Sequence, residues 1–218
     1  MSLPVITISR QRGSGADDIA VIVAQALNVP LYDRQVLAEA ARAAGVDETT
    51  IATAERRQGL LARIFEELGR FGALGTGAPS PSFDEPSVLI ASVDFRAVVE
   101  QVLQGIAEQG PCVIVGHGAG QVALRDRPDV LHVFLHAPFE QRVQRMMAYG
   151  KLDRTAAEKD VREADRERSA YFKDYYGLNW YDLRLYDLVL NTAGRTYADV
   201  AEEICAAARV DDTQRVVG

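Results

Sequence analysis

At 218 residues, 48% of them hydrophobic and 25% charged, the chain is long enough for one well-buried core with room for a small subdomain, and too short for two ordinary domains to be the default. A net charge of −7, from 31 acids against 24 bases, argues against binding to nucleic-acid backbone. No apolar run approaches the ~18 residues of a membrane span, the N-terminus lacks a signal-peptide pattern, and the only two cysteines, Cys112 and Cys205, have neither metal-ligand nor redox spacing; the expectation is a cytoplasmic, soluble protein with no membrane partner.

In chain order, the first signal is Val5, Ile6, Thr7 and Ile8, an unbroken apolar and β-branched run that predicts a strand covered on both faces. It leads through Ser9, Arg10, Gln11, Arg12, Gly13, Ser14 and Gly15 into a helical pattern. There Ile19, Ile22, Val23, Ala26 and Leu27 share one face, and Asn28 supplies a left-handed stop. Residues 30–32 predict a second strand, so this stretch is a strand–loop–helix–strand unit. Residues 34–110 form a long insertion, mostly helical in pattern. Within it Gly72, Gly75, Gly77, Pro79, Pro81 and Pro86 predict a mobile loop over 72–86. Further strands are predicted at 112–115, 130–135 and 188–190. A charged helix begins near Thr155, where Thr155 to Glu158 reads as a capping box, and runs to Gly177. The sum is a five-stranded parallel core with a helical lobe after strand two.

The loop after the first strand carries the chemistry. Gly13 and Gly15 let the backbone turn tightly and converge several N–H groups, and the helix N-terminus adds partial positive charge, so the loop suits an anion. Against the phosphate-loop pattern G-x-x-x-x-G-K-[ST], Gly15 matches the last glycine. Arg10 stands at the first glycine, Ala16 at the lysine and Asp17 at the hydroxyl. Asp17 and Asp18 can also cap the helix themselves and repel phosphate, which leaves a purely structural turn open. Arg10 and Arg12 offset that repulsion, and Asp18 can take Mg²⁺, an oxygen-seeking ion that bridges phosphates.

Several later residues have two readings. His132 and His136 share a strand face without a third ligand nearby, which fits core or sheet-end histidines better than a metal pair. Lys159, Arg162 and Arg166 lie on one helix face and Arg168 on another with Tyr171 and Tyr175; they read as a solvated surface or as anion contacts. Arg142 and Arg145 follow a strand end where ligands gather in such sheets, and Arg142 is the candidate substrate contact. Trp180, Tyr181 and Tyr186 read as packing residues beneath the last strand.

Taken together, the loop from Ile8 to Gly15, Tyr32-Asp33, Gly116-His117-Gly118, the run His136-Ala137-Pro138 before Arg142, the stretch Asp165 to Phe172, and Trp180 to Thr192 resemble the cytidylate kinase-like family, a branch of the P-loop nucleoside monophosphate kinases whose loop also lacks the P-loop lysine. The resemblance covers roughly residues 5 to 207. It implies a P-loop NTPase-like three-layer α/β fold with sheet order 2-3-1-4-5, one domain over 1–210 followed by a short tail, an acceptor-binding insertion over 34–110 and a lid over 150–180. It further implies ATP and Mg²⁺ as cofactors. Gly13, Ser14 and Gly15, with Ala16, Asp17 and Asp18, cradle the donor phosphates beside Arg10. Asp33 and His117 face the acceptor, and Arg166 and Arg168 reach in from the lid. The chain departs from the family at Asp17, often basic there, and at His117, often arginine; both changes reduce positive charge at the site. The implied activity is transfer of a phosphoryl group from ATP to a nucleoside monophosphate such as CMP. The alternatives are a non-catalytic nucleotide-binding regulator and a kinase for another acceptor. The base recognised and the oligomeric state, a homodimer included, stay open.

Overall fold

The computed structural model describes residues 3–33, 93–116 and 120–209, with backbone only for 93–99. Five strands, β1 (Val5–Arg10), β2 (Leu31–Tyr32), β3 (Val113–Val115), β4 (Val130–His136) and β5 (Leu188–Asn191), form one sheet in the order β2-β3-β1-β4-β5. Every pairing is parallel. Parallel neighbours need crossovers, and α1 (Ala16–Leu27), α2 (Val93–Glu108), α3 (Gly120–Ala123), α4 (Phe139–Gly150) and α5 (Arg154–Tyr176) lie in them, while α6 (Tyr197–Ala208) follows the last strand. The architecture and strand order are those the sequence and the family resemblance predict.

The two faces of the sheet are covered by different partners, and the alternation along β4 shows it. Val133 and Leu135 join Ile6 and Ile8 in a cluster with Ile19, Val23 and Leu27 of α1 and Val200 and Ile204 of α6. Phe134, between them in sequence, points the other way and packs with Phe172, Trp180, Leu185 and Tyr186. A third cluster joins α4 to α5 through Val143, Ala157 and Val161, with Phe139 and Met147 against it. The charged helix α5 is therefore pinned near both ends, by Ala157 and Val161 at one and Phe172 at the other, all fully buried.

Helix ends follow local chemistry. Asn28 is left-handed (φ 54°, ψ 49°) and closes α1 as expected. The helix α5 starts ahead of the expected Thr155 cap, because the Asp153 carboxylate accepts the Ala156 N–H and leaves Thr155 inside the first turn. The capping box lies instead at α6, where Thr196 and Asp199 bond reciprocally. The mobile loop expected at 72–86, most of the insertion and His117 fall outside the described residues. Among the described helices none is long and apolar enough to cross a membrane.

Candidate functional site

Because all five strands run parallel, their carboxyl ends share one edge of the sheet. Connections leave β1 toward β2 on one side and β3 toward β4 on the other, so the crevice lies beside β1, at the reversal of strand order. Arg10 ends β1 there, Gly116 follows β3, and Asp33 follows β2 one residue past the Tyr32–Ile114 pairing.

The glycine loop is held from behind by its carbonyls. Arg142 Nη1 donates to the Arg12 carbonyl at 3.3 Å, Arg145 Nη1 to the Gly13 and Ser14 carbonyls at 3.3 and 2.9 Å, and Thr192 Oγ1 to the Ser14 carbonyl at 2.8 Å. Arg145 is fixed in turn by donating to Thr192 Oγ1 and to the Thr192 carbonyl, both at 2.9 Å. Close packing completes the seat. Gly13 (φ 78°) lies where a Cβ would come within 2.7 Å of the Arg142 carbonyl oxygen, and Gly15 (φ 82°) where one would meet the Tyr197 ring at 2.5 Å. Both glycines are required twice, for the left-handed turn and for the space.

With the carbonyls turned inward, the amides are left over. Ser14 N–H donates to the Gln11 carbonyl, and the first intrahelical bond of α1 runs from Ile19 to Gly15. The N–H groups of Gly13, Gly15, Ala16, Asp17 and Asp18 donate to no carbonyl among the described residues, and Gly15 caps the helix without a side chain. The Ser14 hydroxyl is buried and has no hydrogen-bond partner among the described residues. Such a set of donors fits an anion with several acceptor oxygens, and phosphate is one.

Charge around the loop is arranged in pairs. Arg10 Nε lies 3.0 Å from Asp17 Oδ1, and the Arg10 guanidinium crosses toward Gly116, where an added Cβ would stand 2.9 Å from Nη1. Arg12 donates to Asp160 of α5 at 2.9 Å. Burial, then the neighbouring Asp17 charge, pushes the Asp18 carboxyl up from its ordinary value. Asp18, the acid expected to take Mg²⁺, lies in the first turn of α1; among the described residues no group of three His, Cys, Asp or Glu gathers that could hold a metal ion. Mg²⁺ takes oxygen donors and needs only one or two carboxylates beside phosphate oxygens, and the first turn of α1 carries Asp17 and Asp18.

The arginines of α5 separate. Arg168 donates to the Gly116 carbonyl at 3.3 Å and its guanidinium lies 5.7 Å from the Trp180 ring centroid. Arg166 is exposed, two residues away on a different face. Arg162 stacks on Phe139 at 4.2 Å, joining α5 to α4. Arg142, the expected substrate contact, sits beneath the loop instead: it is 5% exposed, donates through Nε to the Ala137 carbonyl, and pairs with Asp165 at 2.7 Å. Burial pushes the Asp165 carboxyl up against the opposing pull of Arg142. Sequence reasoning missed Asp160, Asp165, Thr192 and Tyr197. Only the spacing of Arg142 and Arg145 at i, i+3 after a strand end hinted that a loop-bracing pair was present.

His132 is buried, 2.6 Å from Thr7 Oγ1, with Gln121 donating to the same hydroxyl. Trp180 Nε1 donates to Ser9 Oγ at 3.0 Å, and Tyr186 Oη to the Trp180 carbonyl at 2.8 Å. These are packing roles for the histidine and both aromatics; Tyr181 is 41% exposed.

Comparison with known proteins identifies the family. The model of the cytidylate kinase-like family matches residues 5–194. The cytidylate kinase of Pyrobaculum neutrophilum is 25% identical over 217 residues, covering 97% of this chain and 98% of that protein. The cytidylate kinase of Methanopyrus kandleri is 33% identical over 107 residues, but the matched stretch spans only 46% of this chain and 55% of that protein. A crystal structure of an uncharacterized protein from Eubacterium ventriosum superposes with a TM-score of 0.63 at 21% identity, covering 95% of this chain and 99% of the other, which speaks to the fold alone. With the family model spanning most of the chain, and the sheet order and lysine-less glycine loop in the expected places, this protein belongs to the cytidylate kinase-like family.

Proposed function

We propose that the protein is a cytoplasmic nucleoside monophosphate kinase that transfers the γ-phosphoryl group of ATP to a monophosphate such as CMP. The observation that carries this reading is the set of unspent amides at Gly13 and Gly15 to Asp18 with the buried, unpartnered Ser14 hydroxyl, beside Arg10 and within reach of the crevice that Arg168 borders. In the reaction an oxygen of the acceptor phosphate forms a bond to the γ-phosphorus as the bond to the β,γ-bridging oxygen breaks. The products are ADP and the nucleoside diphosphate, and no covalent enzyme intermediate is needed. The loop amides hold the donor phosphates, Arg10 and Arg168 offset negative charge on the transferring group, and Asp33 orients the acceptor. Asp18 would hold a Mg²⁺ ion that enters with the nucleotide, and such an ion would supply further charge neutralisation for the phosphates.

The Arg10–Asp17 pair favours a second reading, a nucleotide-binding regulator, because it occupies the arginine that the chemistry needs. Incubating the purified protein with ATP, Mg²⁺ and a panel of monophosphates separates the two. The kinase reading expects ADP and a nucleoside diphosphate in equal amounts with at least one acceptor. ATP binding without turnover on the whole panel supports the regulator.

A further inference from the structure

The ion pair inside the glycine loop sets Asp17 apart from the rest of the site. Asp17 occupies the first turn of α1, one residue past the Ala16 that stands in place of the P-loop lysine. Its carboxylate meets Arg10 at 3.0 Å. The two side chains differ in freedom: Arg10 is 14% exposed and wedged against Gly116, while Asp17 is 43% exposed. The carboxylate is thus the partner that can turn away, and the guanidinium is the partner that stays. A carboxylate and a phosphate compete for the same guanidinium face by the same charge-assisted hydrogen bonds. The adjacent Ser14 hydroxyl, buried without a partner, and the leftover amides indicate where a competing anion settles.

We infer that Asp17 is an internal competitor for Arg10, displaced when a polyphosphate enters the loop, and that it sets how strongly this loop holds its donor. Asp17 is then a positioning residue that acts through Arg10. The inference rests on the phosphate-binding reading of the loop but not on catalysis.

The test is a calorimetric titration of the full-length protein with inorganic triphosphate, without metal, in four forms: parent, Asp17→Asn, Arg10→Ala and the double variant. Thermal melts confirm that each form is folded. Asp17→Asn should bind triphosphate about three- to tenfold more tightly, since a partly exposed pair is released and one repelling charge is lost. In the Arg10→Ala background the same change should give a clearly smaller gain, because the competed-for group is gone. Equal gains in both backgrounds would show a plain field effect of one carboxylate and overturn the inference. So would unchanged or weaker binding in Asp17→Asn, or no triphosphate binding by any form. A parallel titration with ATP and Mg²⁺ covers the remaining role: if Asp17→Asn weakens that complex while leaving free triphosphate unaffected, Asp17 is a metal ligand and the competitor assignment is wrong. ATP binding no tighter than triphosphate would count against the nucleotide reading while leaving the Asp17 result to stand on triphosphate.

Discussion

Replacing Gly13 with alanine probes how tightly the loop is seated on α4. Two costs apply. The first is the left-handed backbone, φ 78° at Gly13, which is unfavourable for an L-residue by ~1–2 kcal/mol. The second is steric: the new Cβ would stand 2.7 Å from the Arg142 carbonyl oxygen and 3.1 Å from its Cα and Cβ. That backbone belongs to the first turn of α4, where Arg142 N–H bonds the Pro138 carbonyl, and it cannot swing aside as a side-chain tip can. Overpacking of this kind costs about 1–3 kcal/mol. Gly177 offers the matched control: its φ is also positive at 66°, but nothing lies within 4 Å of an added Cβ. The backbone cost and the loss of unfolded-chain entropy are common to both sites and cancel in the comparison. Gly13→Ala should therefore lie about 1–3 kcal/mol below Gly177→Ala in urea unfolding, or roughly 2–12 °C lower in Tm. Equal stabilities for the two variants would mean that Gly13 does not sit on α4 as described, and the bracing of the loop by Arg142 and Arg145 would have to be abandoned with it.

Arg142→Ala should cost about 3–5 kcal/mol, because it strands the buried Asp165 carboxylate; urea midpoints measure it, and the loss should shrink in acid, where Asp165 takes up a proton. The folded state holds His132 below the ordinary histidine value, chiefly by burial, and His136 likewise with Arg142 adding to the effect. The unfolded chain therefore binds more protons between the lowered values and 6.5, so these groups make stability rise with pH through that window and contribute no slope above or below it, and His132→Gln should flatten the slope of the urea midpoint against pH. In the kinase assay Arg168→Ala should lower kcat at least about tenfold, as loss of a group on the transferring phosphoryl does, whereas the exposed Arg166 should tolerate alanine within about twofold; equal losses at both would mean that α5 presents a different face to the crevice.

The sequence by itself determined the strands, the first helix and its stop, the glycine loop and the parallel core. Each is written in short-range pattern: unbroken apolar runs such as Val5 to Ile8, the 3.6-residue spacing from Ile19 to Leu27, and Asn28, which readily takes the left-handed conformation that closes α1. The family resemblance then supplied the strand order, which no local pattern encodes. Only the tertiary structure decided what each charged side chain does. Arg12 meets Asp160 across 148 positions, Arg145 reaches Ser14 across 131, and Arg142 finds Asp165 across 23. At the level of sequence an arginine bracing a loop carbonyl and one waiting for phosphate look alike, since both are cations near a strand end. What separates them is burial and the partner within hydrogen-bond distance. Those depend on how α4 and α5 pack through Val143, Ala157 and Val161. The same packing sends Arg168 toward Gly116 and leaves Arg166 in water, a difference set by two residues of helical rotation on a helix anchored near both ends.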